Sequence, residues 1–192
     1  MWSSTSSGIR SHGIGAIELL VTLAVIGIIV AIALPTLTGM KRHQQLKSIA
    51  DAVLTDIRFG RSEAARLSVP VRLRFSDSML GSCYLLEVGD KGRCECRGSV
   101  AEMAGTAVCT NGTHPLKLVW LPRLRGVTVQ SNWSSITFDP RLGTVTPAPT
   151  ISIANDEGED ISQVVSSMGR IRTCTRAPGS GSLPRCDGKK AQ

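Results

Sequence analysis

The sequence predicts an α+β protein in which a long N-terminal helix packs on a C-terminal domain of antiparallel β-strands. An apolar run at residues 17–34 is interrupted only by Glu18 and Thr22. Apolar residues at three- and four-residue spacing follow it, which indicates a helix with one buried face. Beyond Pro70, apolar and polar residues alternate in short segments separated by turns, which is typical of β-strands.

The apolar run is long enough to anchor the chain in a membrane. A helix of 18 residues spans about 27 Å, close to the thickness of the hydrocarbon core of a bilayer. Arg10 and His12 precede the run, and positive charge favours keeping that end in the cytoplasm. No small-residue cleavage site of the secretory type follows it, so we expect the segment to be retained.

Glu18 lies near the start of this run. A carboxylate at the centre of a membrane costs about 2.5–3.5 kcal/mol on insertion scales. Two explanations are open: Glu18 is an interfacial acid that the helix dipole stabilises, or it pairs with a group on another chain.

The second half of the predicted helix, residues 36–68, has an amphipathic pattern that Pro70 ends. We expect its apolar stripe to form core rather than a partner site. The stripe consists of Leu46, Ile49, Ala50, Val53, Leu54 and Ile57.

Residues 69–173 are predicted to form the β-rich domain. Strands are expected at residues 71–75, 83–88, 116–121, 126–130, 135–138, 150–154 and 169–173. Residues 94–112 are poorly patterned and are predicted to be a loop held by cysteines. The acidic segment 156–160 does not have the spacing of a calcium loop, so we interpret it as a solvated turn.

Six cysteines in an exported chain predict disulfide bonds. Six allow 15 connectivities, and the sequence leaves the pairing open, with Cys174 and Cys186 as the most local long-loop option. A zinc site would need four ligands, whereas a single C-x-C motif stands alone here, so no metal or cofactor is predicted. The cysteines are Cys83, Cys94, Cys96, Cys109, Cys174 and Cys186.

The C-terminal residues 174–192 form a basic tail rich in proline and glycine. Six positive residues and one negative residue between positions 169 and 192 give a local charge of +5, out of +7 for the whole chain. Such a cluster favours polyanions, although a solvated tail and arginines that brace the fold, for example on Asp139, are alternatives. The cations are Arg170, Arg172, Arg176, Arg185, Lys189 and Lys190.

No catalytic set stands out in the sequence. The three histidines are scattered, and neither a G-x-S-x-G motif nor a phosphate-binding glycine loop is present. Aromatic residues make up 4% of the chain, which argues against a base-stacking platform. We therefore predict that the protein is not an enzyme.

Residues 13–20, with glycine at 13 and glutamate at 18, resemble the processing site of type IV prepilins and pseudopilins. The resemblance implies that a prepilin peptidase removes residues 1–13 after Gly13 and that the new first residue, Ile14, is N-methylated. It makes Glu18 the fifth mature residue, which in that family serves filament assembly. Residues 14–35 would then be the transmembrane and filament-core helix, with Pro35 where such helices kink.

Three further segments are similar to the GspH/FimT group of minor pilins and pseudopilins: the helix end at residues 56–65, the Phe-x-x-x-x-Gly hairpin at 136–143, and the Gly-Arg-x-Arg strand at 169–172. The resemblance implies a type IV pilin-like fold in the inner membrane, with the C-terminal domain in the periplasm, or outside the cell when assembled in a pilus. Its implied partners are other major and minor pilins.

The resemblance leaves the function open between two main alternatives. A FimT-like minor pilin would bind double-stranded DNA through the arginine motif during DNA uptake. A GspH-like pseudopilin would serve the type II secretion system, and a purely structural pilus-priming subunit is a third option.

Overall fold

The computed structural model describes residues 15–89, 92–99, 104–176 and 183–186. One long helix, α1 (Ala16–Leu67), is followed by the β-strands and by one short 3-10 helix, Arg123–Arg125. The strands in this part of the chain are β1 (Val71–Asp77), β2 (Gly81–Val88), β3 (Cys94–Ser99), β4 (Ala104–Cys109), β5 (His114–Pro122), β6 (Val127–Ser131), β7 (Ser135–Phe138), β8 (Val145–Thr146), β9 (Thr150–Asn155), β10 (Asp160–Val165) and β11 (Ile171–Cys174).

The chain divides into two compact units, Met1–Lys41 and Arg42–Gln192. In the first unit, the side chains of residues 15–32 are exposed. The predicted membrane span is not confirmed: within the described residues, no helix is both long and apolar enough to cross a bilayer.

The second unit is built from antiparallel sheets. One sheet has five strands in the order β5-β2-β1-β7-β8, another has four in the order β11-β10-β9-β6, and β3 pairs with β4 in a separate hairpin. Together with α1 this gives the α+β, pilin-like fold class that the sequence predicts.

The apolar stripe of α1 packs against these sheets as predicted. Leu46, Ala50, Val53 and Ile57 are each at most 2% exposed and belong to the main core. The approach is closest at Gly60, where a Cβ atom would lie 2.7 Å from Leu86 Cδ2 and 2.8 Å from Phe138 Cε2. Every residue of the described core lies at position 46 or later, so the fragment 42–192 contains all of that described core and is expected to fold by itself.

Polar contacts fix the helix on the sheets. Asp56 is 2% exposed and accepts hydrogen bonds from the Tyr84 hydroxyl, at 2.9 Å, and from Lys117 Nζ. Burial, with the neighbouring Asp56 carboxylate, raises the pKa of the Tyr84 phenol far above its usual range, so the phenol stays a donor. Gln163 donates to the carbonyl oxygen of Ala50.

The cysteines form three disulfides: Cys83–Cys96, Cys94–Cys109 and Cys174–Cys186. The predicted use of disulfides is therefore confirmed. The first bond attaches the β3–β4 hairpin to β2, and the second closes the hairpin on itself.

The prediction of a loop at residues 94–112 was wrong, because β3 and β4 lie there. The hairpin packs through glycines rather than through apolar side chains, so it has no alternating apolar pattern. A Cβ atom on Gly98 would lie 2.2 Å from the Trp120 ring, and one on Gly105 would lie 2.8 Å from Trp120 Cβ. The strands β8 and β10 were also not predicted. In β10, the polar residues Ser162 and Gln163 are buried, so the sequence of this strand does not show the apolar pattern that indicates a buried strand.

The acidic segment 156–160 is not simply a solvated turn. Glu157 pairs with Arg42, and Glu159 lies 3.4 Å from His43 Nδ1, so the turn contacts the helix. Asp160 begins β10 instead of ending the turn. The sequence prediction failed because Arg42 and His43, which face these acids, lie more than 110 residues earlier in the chain.

Candidate functional site

A cleft of about 360 Å³ forms where the end of α1 meets two turns of the β-domain. One turn joins β7 to β8, and the other joins β10 to β11. The floor is apolar and the rim is basic. The lining residues are Ile57, Arg58, Arg61, Phe138, Val145, Gly169, Arg170 and Ile171.

Arg61 lies against the backbone of both turns. A Cβ atom on Gly169 would lie 2.5 Å from Arg61 Nη1, and one on Gly143 would lie 3.0 Å from Arg61 Nη2. Both glycines also have positive φ angles, 77° and 62°, which side-chain-bearing residues rarely adopt. Glycine at these positions therefore serves the turn geometry and leaves space for the guanidinium group.

The β7–β8 turn is held by Asp139. Its carboxylate accepts hydrogen bonds from the backbone N–H groups of Leu142, at 2.7 Å, and Arg141, at 2.8 Å. These bonds lower the pKa of Asp139, so the turn is stabilised by the ionised form. Within the described residues, Asp139 makes no ion pair with Arg170 or Arg172, so the predicted brace on this acid is not observed.

The β10–β11 turn presents Arg170. The N–H of Gly169 donates to the carbonyl of Ser166 at 2.8 Å, and the N–H of Arg170 donates to Ser166 Oγ at 3.1 Å. The N–H of Val145 in β8 donates to the carbonyl of Ser167 at 2.8 Å, which ties the two turns together. Arg170 therefore precedes β11 on a firmly bonded turn, and Arg172 follows in the strand; both are exposed.

The arginines of this region differ from most others in their partners. Arg58, Arg61, Arg170 and Arg172 are exposed, and within the described part of the chain none of them forms an ion pair. Several other arginines pair with acids, as Arg123 does with Asp77 at 3.3 Å. The cleft and the adjoining strand thus concentrate uncompensated positive charge.

Part of the predicted basic tail is bonded to the fold. Thr175 donates its N–H to the carbonyl of Pro184, and Cys186 donates its N–H to the carbonyl of Thr175, both at 2.9 Å. Thr175 and Arg185 form a parallel bridge, and the disulfide to Cys174 closes the segment. Residues 183–186 are therefore a loop that is held against the end of β11.

This docking brings two predicted cations near β11. At about 3.3 Å per residue, Thr175, bridged to Arg185, lies roughly 10 Å along the strand from Arg172. The N–H of Arg176 donates to both carboxylate oxygens of Asp160, at 3.0 and 3.3 Å. The backbone of Arg176 and Arg185 therefore lies beside the end of β11, with Arg176 next to the carboxylate of Asp160.

The comparisons with known proteins identify the family. A family model described as "Type II transport protein GspH" matches residues 50–169, which is 120 of the 192 residues. The chain belongs to the GspH family. This confirms the predicted resemblance to minor pilins and pseudopilins of the GspH/FimT type, whose members assemble with other pilins in filaments.

Two solved structures match the chain at low similarity. Two crystal structures of the type IV minor pilin FimU from Pseudomonas aeruginosa strain PAO1, in space groups P21 and P65, are each 21% identical to the chain. They match with TM-scores of 0.47 and 0.45, covering 73% and 72% of this chain and 93% and 96% of theirs. No curated protein sequence matches the chain.

The GspH-family match begins at residue 50 within α1 and ends at Gly169, so the cleft lies inside or next to the matched region. Sequence reasoning selected Arg170 and Arg172 but missed Arg58 and Arg61. The available signal was a pair of arginines three residues apart beside Gly60. Only the fold shows that this pair faces Arg170.

The other predicted positions are less informative. Glu18 lies exposed in the first turn of α1. Gly13, Ile14, Lys189 and Lys190 lie outside the described residues. Across the residues that are described, no group of three histidine, cysteine, aspartate or glutamate side chains could hold a metal.

Proposed function

We propose that the protein is a FimT-like minor type IV pilin that contributes to pilus assembly and binds double-stranded DNA for uptake. The observation that carries the proposal is the set of exposed arginines without ion pairs at Arg170, Arg172 and the adjoining cleft. Guanidinium groups stay charged and form bidentate bonds with phosphate oxygens.

The contact is expected to be independent of DNA sequence. Specific readout needs side chains that reach base edges, whereas this surface offers arginines on a turn, on a strand and on the side of α1. Phosphate contacts position a protein on DNA without reading it. Arg176, Arg185, Lys189 and Lys190 would add further phosphate contacts.

The assembly part of the proposal concerns the N-terminal segment. Cleavage after Gly13 by a prepilin peptidase and methylation of Ile14 would leave Glu18 near the new terminus. An unpaired carboxylate among apolar helices is costly, and pairing it with the terminal amine of a neighbouring pilin offsets that cost. The exposed apolar side chains from Ile17 to Ile32 support burial in the inner membrane before assembly and among other pilins after it.

DNA binding by the fragment 42–192 tests the proposal. If about four phosphates are neutralised, log K falls against log salt with a slope near −3.6, so raising salt from 50 to 200 mM weakens binding roughly 100-fold. Replacing Arg170 and Arg172 with glutamine is expected to flatten the slope by about two units. The absence of any DNA binding at 50 mM salt would refute the DNA-uptake function.

The control must be chosen with the fold in mind. Arg72 and Arg74 are unsuitable, because both pair with the buried Glu87. Arg97 and Arg125 are exposed and form no ion pair within the described residues, so the variant with both replaced by glutamine is the matched control. Equal loss in both double variants would mean diffuse charge rather than a site.

The alternative is a GspH-like pseudopilin of the type II secretion system. The family description, "Type II transport protein GspH", favours it. Deleting the gene distinguishes the two functions: loss of secreted proteins with normal transformation would support the secretion function, and the reverse result would support DNA uptake.

A further inference from the structure

We propose that the cleft between α1 and the two β-turns is a phosphate-binding site, with Arg58 and Arg61 of the helix as its second wall. This inference rests on the proposed function for its natural ligand: in the DNA contact, the cleft would hold a backbone phosphate. The proposal adds Arg58 and Arg61 to the DNA contact, and these residues lie about 110 positions before Arg170 and Arg172 in the chain.

The charge around the cleft is one-sided. Three guanidinium groups line it, from Arg58, Arg61 and Arg170, and the remaining lining residues are apolar or glycine. Arg58 and Arg61 are one helical turn apart, where like charges destabilise a helix. Because no acid among the described residues lines the cleft, a bound anion would relieve this repulsion.

Of these three arginines, Arg61 is the best positioned to bind an anion. Its guanidinium group lies against the backbone at Gly143 and Gly169, which limits the conformations of a long side chain. Within the described residues its N–H groups donate to no protein acceptor and it forms no ion pair, so they remain available to a ligand. A donor that is already ordered loses less entropy on binding.

The chemistry favours phosphate over carboxylate. Three cations exceed the charge of one carboxylate, whereas a phosphate presents several oxygens to several guanidinium groups. The volume of about 360 Å³ leaves room beyond the anion, and the half-buried Ile171 offers an apolar surface for the carbon atoms of an attached sugar. Arg170 also belongs to the strand proposed to contact DNA, which makes the phosphodiester backbone the expected source.

The experiment compares the fragment 42–192 with two double variants, Arg58→Gln/Arg61→Gln and the control Arg97→Gln/Arg125→Gln. Binding to a 20-base-pair duplex is measured by fluorescence anisotropy at several salt concentrations, after circular dichroism confirms folding. The cleft variant is expected to bind about tenfold more weakly at 50 mM salt, with a salt slope smaller by about one unit. The control is expected to change affinity by no more than about twofold.

Competition identifies the anion. Pyrophosphate is expected to displace the duplex from the wild-type fragment at lower concentration than succinate does at equal ionic strength. Equal competition by succinate would overturn the choice of phosphate. An affinity of the cleft variant equal to that of the control would overturn the site itself, while leaving the DNA proposal on Arg170 and Arg172 intact.

The two proposals fail separately. If the wild-type fragment binds no duplex, DNA uptake fails as a function. Calorimetric titration with pyrophosphate alone then decides whether the cleft binds phosphate. Binding of pyrophosphate that is lost in Arg58→Gln/Arg61→Gln would support a phosphate site. No heat of binding with the wild-type fragment would overturn it.

Discussion

Replacing Glu87 with glutamine is expected to lower the free energy of unfolding of the 42–192 fragment by about 3–5 kcal/mol, the usual loss when a buried ion pair loses one partner. Glu87 is fully buried. One carboxylate oxygen lies 3.1 Å from Arg72 Nε and 3.0 Å from Arg74 Nη2, and the other accepts the N–H of Cys94. Glutamine removes the charge, and its NH₂ group cannot accept the hydrogen bond that Arg74 Nη2 or the N–H of Cys94 donates to the oxygen it replaces.

The matched control is Glu95→Gln in the neighbouring hairpin. Glu95 pairs with Arg93 at 3.0 Å, but the side chains of Glu95 and Arg93 are 54% and 66% exposed. An exposed pair contributes about 0–1 kcal/mol and is screened by salt, whereas a buried pair is screened much less. The two substitutions therefore make the same chemical change in opposite environments.

Urea unfolding of the oxidised fragment, followed by tryptophan fluorescence, measures both variants. For a domain of about 150 residues, a loss of 3 kcal/mol corresponds to a fall in Tm of roughly 6–12 °C. If Glu87→Gln costs within about 0.5 kcal/mol of Glu95→Gln, the carboxylate of Glu87 does not hold β1 and the hairpin together, and the reasoning is refuted.

Three further predictions follow from the N-terminus, the cysteines and the helix packing. Mass spectrometry of the membrane-extracted protein is expected to show a chain that begins at methylated Ile14, and an intact Met1 in cells with an active prepilin peptidase would contradict the processing; Glu18→Ala should preserve cleavage but impair incorporation into filaments. Non-reducing peptide mapping should recover Cys83–Cys96, Cys94–Cys109 and Cys174–Cys186, so a free thiol at any of the six in periplasmic protein would count against the pairing. Gly60→Ala should destabilise the fragment by about 1–3 kcal/mol through overpacking against Leu86 and Phe138, despite the better helix propensity of alanine. The exposed Ala65→Gly measures propensity alone, at about 1 kcal/mol, and a stabilising Gly60→Ala would show that the helix does not approach the sheet so closely.

The sequence by itself determined the features that depend on local periodicity. The three- and four-residue spacing of apolar side chains predicted the buried face of α1, and alternation predicted β7 and most of β1, β2, β5, β6 and β9. These predictions succeed because an amphipathic element needs only its own residues to show which side avoids water. The even number of cysteines likewise predicted disulfides, since it depends on composition and export.

Only the tertiary structure decided which distant residues meet. The hairpin of β3 and β4 has no apolar alternation, because Gly98 and Gly105 pack on Trp120 and disulfides hold the strands. The pairing of Cys83 with Cys96 follows from the position of that hairpin beside β2. Sequence alone could not choose it among the alternatives, because the entropic cost of closing a loop rises only slowly with loop length and so separates most pairings weakly.

The basic cleft is also formed by residues that are distant in the sequence. Arg61, Gly143 and Gly169 are separated by 82 and 26 residues along the chain, yet they meet at one point. Their meeting depends on the order of strands, which places the β7–β8 and β10–β11 turns at the end of α1. Each motif could be found from the sequence, whereas their convergence into one basic cleft depends on non-local sheet pairing, which local residue patterns do not encode.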